Sequence, residues 1–224
     1  STSGDIGFGG SLNVGSAGVN ALGSISGTIN VSSSAQFIGA TSKLELGSST
    51  TTFYGAFIIG QSATVNGNTG KLEFRGNVSI SLATWSMGSA TVYFTGGGAQ
   101  SLSYSEVNNT GFGAVKVNKT LATTLTLSGN GTSTGAFTIE SGTFSGGSSI
   151  FRVGGNFSVN ESGTFTPSTG TIEFNGSGAQ SVSSTNFAVL TINKSGGTVT
   201  PLVNTTSTGN FSLLGGTLSL GTKA

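Results

Sequence analysis

Few residues in this 224-residue chain could carry acid–base or nucleophilic chemistry, and they are dispersed. Asp5 is the only aspartate, and six glutamates are scattered along the chain. A hydrolase on a β-scaffold needs clustered carboxylates for proton transfer or for calcium. Glu45 and Glu73 share a repeat register, which would let them stack on adjacent coils. The plainer reading is two exposed charges flanked by Lys43, Lys71 and Arg75. There are no histidines and no cysteines, so disulfides and His or Cys metal sites are excluded. Serines abound with no histidine to activate one, and no Ser–Lys motif is present. Gly96-Gly97-Gly98 is not a phosphate loop, because no helix follows it and no GK[ST] is present. The chain reads as a non-enzyme with no cofactor and no metal.

One acceptor motif is in excess. Asn-X-Ser/Thr begins at Asn30, Asn77, Asn108, Asn118, Asn130, Asn156, Asn160, Asn175, Asn193, Asn204 and Asn210, which is 11 of 17 asparagines. The Ser and Thr content, 70 of 224, gives roughly 5 such motifs by chance. Most adjoin an inward-facing apolar residue, so their side chains should point outward as candidate N-glycosylation sites. The competing reading needs no glycan: Asn caps turns and stacks into corner ladders beside Ser and Thr. A second surface signal is threonine, as in Thr50-Thr51-Thr52 and Thr123-Thr124-Leu125-Thr126. A flat Thr array could order water and bind ice, but these residues keep no single register, and Thr is a good outward strand residue in any case.

The elements that position these residues are short and repeated. In Thr171-Ile172-Glu173-Phe174, Ile172 and Phe174 share one face and the polar residues the other, as strand alternation requires. Asn175-Gly176 then marks a turn. The same text occurs 80 residues earlier, where Thr91, Val92, Phe94, Gly96, Gly98, Ala99, Gln100 and Ser101 precede Thr171, Ile172, Phe174, Gly176, Gly178, Ala179, Gln180 and Ser181. Phe112, Val115, Val117, Asn118 and Lys119 precede Phe187, Leu190, Ile192, Asn193 and Lys194 by 75. Shorter echoes exist too: Ala35, Phe37, Leu44 and Leu46 return 28 residues on as Ala63, Val65, Leu72 and Phe74. An array of this kind dictates the architecture. We read one all-β domain over 1–224, a β-solenoid (β-helix) without significant helix, with 91–145 related to 171–219. Each repeat of about 75–80 residues should make about three turns of two or three strands each.

Charge placement agrees. Glu45, Glu73, Glu173, Lys116 and Arg152 each stand between two apolar residues, so each should point away from a core filled by its neighbours. Ile172, Phe174, Val92, Phe94, Leu72, Phe74, Leu44 and Leu46 should face inward. Trp85-Ser86-Met87 and Tyr104 to Gly111 break the rhythm and suggest an extruded loop or irregularity.

Composition narrows the partners. With 39 Gly, 37 Ser and 33 Thr, little is left to build helices. Charged residues are 7% and net charge is +1, with no basic cluster for nucleic acid or anionic membrane. No apolar run approaches the ~18 residues of a membrane span. The chain begins at Ser1, which suggests a processed form or an excised fragment, and a removed signal peptide would fit.

Gly163 to Ser183, GTFTPSTGTIEFNGSGAQSVS, followed by LTINKSGGTVT from Leu190 to Thr200, resembles repeats of secreted prokaryotic surface proteins rich in Gly, Ser, Thr and Asn. The similarity covers Ala90 to the C-terminus well and the first 80 residues loosely. It implies a β-helical fold and an extracellular structural or adhesive role, and it transfers no functional residues.

The ends sharpen the functional reading. Solitary solenoids protect their first and last coils with a polar cap, and neither end here supplies one. Leu12 and Val14 lie near the start, and Phe211, Leu213, Leu218 and Leu220 are apolar strand text near the finish. These residues are the self-assembly candidates. The expected protein is an extracellular or cell-surface structural subunit polymerising head to tail with copies of itself. The alternative is a glycan- or surface-binding adhesin module of a longer protein. Trp85 and three tyrosines are too dispersed to define a lectin-like patch.

Overall fold

Alternating strand text with turns every few residues cannot bury its apolar face alone, so successive strands must stack. In the computed structural model the described residues contain no helix and are 62% strand, stacked in parallel as a β-solenoid. The structure describes residues 2–220 except 4, 5, 11, 15–19, 23, 24, 40, 41, 61, 68, 82, 83, 106–110, 121 and 185, with side chains from residue 27 onward.

Each coil has three strands. Thr28–Val31, Ala35–Ile38 and Ser42–Glu45 form one coil; Thr50–Phe53, Phe57–Gly60 and Thr64–Asn66 form the next. Every strand pairs in parallel with its counterpart one coil away, giving three ladders that we name faces A, B and C. Ile29, Thr51 and Leu72 are successive rungs of face A; Ala35, Phe57 and Val78 of face B; Leu44, Val65 and Trp85 of face C. Later strands run around the corner between faces without a break, as in Phe137–Ser145 and Val189–Pro201. Register shifts after Val117 and Ile192 mark these bends, where an extra residue turns a strand.

The rung-to-rung spacing corrects the expected three turns per long repeat. Thr91–Phe94 lies on face A, pairing with Lys71–Phe74 and Ala114–Asn118. Its sequence copy Thr171–Phe174 pairs instead with Ile150–Val153 and Val189–Pro201, on face C. Eleven strand positions separate the copies, so the repeat advances three and two-thirds turns. The 28-residue echo spans four strand positions, carrying Ala35 on face B to Ala63 beside face C. The working unit is therefore one strand and its turn, about seven residues, and any face accepts it.

The core follows the expected alternation. Ile172, Phe174, Val92, Phe94, Leu72, Phe74, Leu44 and Leu46 are all buried. Phenylalanines ladder through it: Phe53 stacks on Phe74 at 5.8 Å, Phe137 on Phe157 at 5.5 Å and Phe144 on Phe165 at 5.9 Å. Burying this much aromatic surface is the main stabilising term.

Three expectations are corrected. Trp85 and Met87 do not break the rhythm: Trp85 is a buried rung of face C, edge-on to Phe57 and Phe112. Tyr104 is likewise a buried rung opposite Ile80, while 106–110 lie outside the described residues. Glu45 and Glu73 do not stack. Glu45 sits on face C opposite Asn66, and Glu73 sits on face A between Thr52 and Tyr93, because a 28-residue shift changes face.

Candidate functional site

The least expected side chains in the core are two lysines. Val115 and Val117 point inward, and the same alternation carries Lys119 inward at the strand's end, leaving it 2% exposed. Its copy Lys194 follows Leu190 and Ile192 and is buried in the same way. Gln100 and Gln180 open their strands as inward residues, followed by inward Leu102 and Val182.

Each lysine meets one glutamine. Lys119 Nζ donates to Gln100 Oε1 at 2.6 Å and to the Thr95 carbonyl at 3.2 Å. Gln100 Nε2 in turn donates to the Phe74 and Gly76 carbonyls at 3.0 and 2.8 Å. One amine and one carboxamide thereby tie three successive coils. The second copy reproduces this: Lys194 Nζ donates to Gln180 Oε1, and Gln180 Nε2 to the Val153 and Gly155 carbonyls. Gly176 N–H adds a hydrogen bond to Gln180 Oε1 at 3.2 Å.

Local backbone makes room for the lysine. Gly142 and Gly216 hold φ of +73° and +80° in the coil above. A Cβ at either would come 2.8 Å from the Cβ of Lys119 or Lys194, so both the φ and the close approach call for glycine. Ser141 seals the first pair by donating Oγ to the Lys119 carbonyl at 2.7 Å.

Electrostatics set these amines apart. Burial lowers the Lys119 pKa to about 8 and shifts Lys194 in the same direction. Among the described residues, no carboxylate forms an ion pair with either lysine. All other lysines from 43 to 116 do have such partners: Lys43 with Glu45, Lys71 with Glu73, and Lys116 with Glu140 at 2.6 Å.

Glu73 differs from the exposed charge expected. It points away from the core yet is only 7% exposed, covered by Lys71 and Arg75, each at 2.9 Å, and Thr95 Oγ1 at 2.9 Å. Burial works to raise its pKa, but the hydrogen bonds from Lys71, Thr95 and Arg75 outweigh it and hold the carboxyl below its ordinary value. Tyr93 lies beside it, under the Lys71 ammonium at 4.4 Å. The cluster is a closed surface network with no vacant coordination. Among the described residues, no three His, Cys, Asp or Glu gather as metal ligands.

The sequon asparagines lie outward. Asn77, Asn118, Asn130, Asn156, Asn160, Asn193, Asn204 and Asn210 are exposed, Asn30 and Asn175 are half-buried, and Asn108 lies outside the described residues. They divide by what the carboxamide does. Asn77 and Asn156 accept the N–H of Ser101 and Ser181 through Oδ1, and Asn130 accepts that of Ile150. Asn118 spends Nδ2 on Glu140, and Asn193 spends it on Glu173 at 3.4 Å. Thr51 is a core rung hydrogen-bonded to Ser49, so Thr50-Thr51-Thr52 does not present three outward threonines.

The assembly candidates divide as well. Phe211, Leu213 and Leu220 are exposed and Leu218 is half-buried. Phe211, Leu218 and Leu220, with Leu190 and Pro201, line an open apolar hollow of about 270 Å³. Leu12 and Val14 form a strand pairing with Ala35 and Phe37, and their side chains lie outside the described residues.

The lysine–glutamine pairs were legible in principle: alternation places Lys119 and Lys194 inward, and both recur. Their charge argued for the surface and hid them. No helix of the described residues is long and apolar enough to cross a membrane. The chain matches no protein-family model, no curated protein and no solved structure.

Proposed function

We propose that the protein is an extracellular structural subunit that assembles head to tail into a cell-surface filament. One observation carries this reading. Phe137 and Phe211 are equivalent in the repeat, yet Phe137 is 1% exposed beneath the coil of Phe157, whereas Phe211 is 47% exposed. Leu213, the counterpart of Ile139, is exposed in the same way. Apolar rungs in this fold are completed by the next coil, and an open strand edge invites one. We assign that coil to the N-terminal strands of another copy. The contact is heterologous and propagates without closing into a ring.

The outward sequons support an extracellular setting. A chain lacking residues 1–14 should fold and stay monomeric in light scattering, while the full chain grows with concentration. Filaments from the shortened chain, or a full chain that stays monomeric, would overturn the reading.

A further inference from the structure

Two buried amines each face a buried carboxamide, in the same arrangement, on different faces of the solenoid. The Gln100–Lys119 pair links faces B and A, and its copy is rotated with the repeat, so the two sites share no neighbours. The amines have no carboxylate partner among the described residues. A buried ammonium without a counter-charge is costly, commonly by several kcal/mol. Its usual relief is to lose the proton, and burial lowers both lysines accordingly. A deprotonated amine is a nucleophile. Here Lys119 Nζ lies 2.6 Å from Gln100 Oε1, nearer than the 3.2 Å to the Thr95 carbonyl oxygen.

We propose that Lys119 with Gln100, and Lys194 with Gln180, are joined by isopeptide bonds that the protein forms by itself. The neutral Nζ attacks Cδ of the glutamine, and the carbonyl electron pair moves onto Oε1. Collapse of this adduct expels Nε2, which takes up the proton released by Nζ and leaves as ammonia. One C–N bond forms and one breaks, with no oxidant, cofactor or water consumed. The fold supplies the approach: holding nucleophile and carbonyl together is worth effective molarities of about 10⁵–10⁸ M in well-oriented cases. Carbonyls 74 and 76, or 153 and 155, hold Nε2 on the side away from the amine and so fix which end of the carboxamide it meets. Gly176 N–H polarises Oε1 in the second pair, where negative charge develops. A once-per-molecule maturation needs no turnover, so a slow step suffices. The product replaces an uncompensated buried charge by a neutral amide and ties the glutamine coil to the lysine coil covalently.

The test is the intact mass of the full, unglycosylated chain. The expected mass lies about 34 Da, two ammonias, below that calculated for the 22.0 kDa sequence,. Lys119→Met should halve the deficit, and Lys119→Met with Lys194→Met should abolish it. Succinimide formation at Asn66, Asn130 or Asn175, each followed by Gly, also sheds ammonia but would survive in the double variant. A deficit as large in the double variant as in the wild type overturns the proposal. Independently of how the variants fold, digestion of unfolded wild-type protein should yield branched peptides joining Gln100 to Lys119 and Gln180 to Lys194. Recovery of both lysines in linear peptides, with amines open to acetylation, would overturn it as well.

Discussion

Val92 and Ile172 are the same residue position in two copies of one repeat, yet they stack on different faces. Val92 lies between Leu72 and Val115 on face A, and Ile172 between Phe151 and Leu190 on face C. The interior must then be nearly equivalent from every side, which explains why small sets of aliphatics and Phe recur at each inward position. The rotation also spreads homologous surface residues around the solenoid.

The facing of each strand gives the first prediction. Phe174→Ala should cost about 3–5 kcal/mol, because the cavity it leaves in a rigid ladder cannot fully collapse. Glu173→Ala should stay within about 0.5 kcal/mol, as surface changes usually do. Urea denaturation of the two variants checks this; equal losses would contradict the assigned facing.

Glu73 should behave differently from Glu173, despite the identical local pattern. Glu73→Ala should cost about 1–3 kcal/mol, since it leaves Thr95, Lys71 and Arg75 without their acceptor. Its folded pKa is depressed from 4.5, so its contribution is full above that value and is lost as pH falls below it. Glu45 is depressed too, chiefly by its hydrogen bond from Lys43. Melts of wild type and Glu73→Ala should therefore converge as the pH drops below about 4.5. A gap that stays constant into acid would show that the carboxylate is not the stabilising form.

Trp85 carries the only buried side-chain polar atom without a partner among the described residues, its indole N–H. Trp85→Phe removes part of the ring volume but no hydrogen bond, so it should cost clearly less than Trp85→Ala, which should cost about 3–5 kcal/mol. Calorimetry of the two variants separates lost volume from lost polarity. A Phe variant as damaged as the Ala variant would mean the indole makes a bond of its own.

Much of this was legible in sequence because alternation is local. Ile172 and Phe174 flank Glu173, and three residues suffice to assign the facing. The rotation was not legible: an 80-residue offset fixes a strand count only when the length of every strand and turn is known. Trp85 alternates as the other strands do, with exposed Thr84 and Ser86 on either side of a buried indole. The burial of Glu73 depends on Thr95 from the next coil, which no local reading of Leu72-Glu73-Phe74 contains. The lysine–glutamine pairs lay in plain alternation, but only the stacked coils reveal that Gln100 and Lys119 meet.

Sequon use should follow the carboxamide geometry. Asn77 and Asn156 engage their Oδ1 and leave Nδ2 outward, whereas Asn118 and Asn193 commit Nδ2 to glutamates. Glycopeptide mapping of natively sourced protein should find Asn77 and Asn156 occupied ahead of Asn118 and Asn193. An intact mass equal to the bare 22.0 kDa chain, after allowing for any lost ammonia, would contradict glycosylation.

Completion of the last coil by another copy is the central claim, and sedimentation across a concentration series tests it most directly. The full chain should shift to larger species as concentration rises. The same chain with Phe211→Asp and Leu213→Asp should remain at 22.0 kDa, because a charge there prevents an incoming apolar coil from seating. A wild-type chain that sediments as a single 22.0 kDa species at every concentration, or a double variant that assembles as well as wild type, would contradict the account.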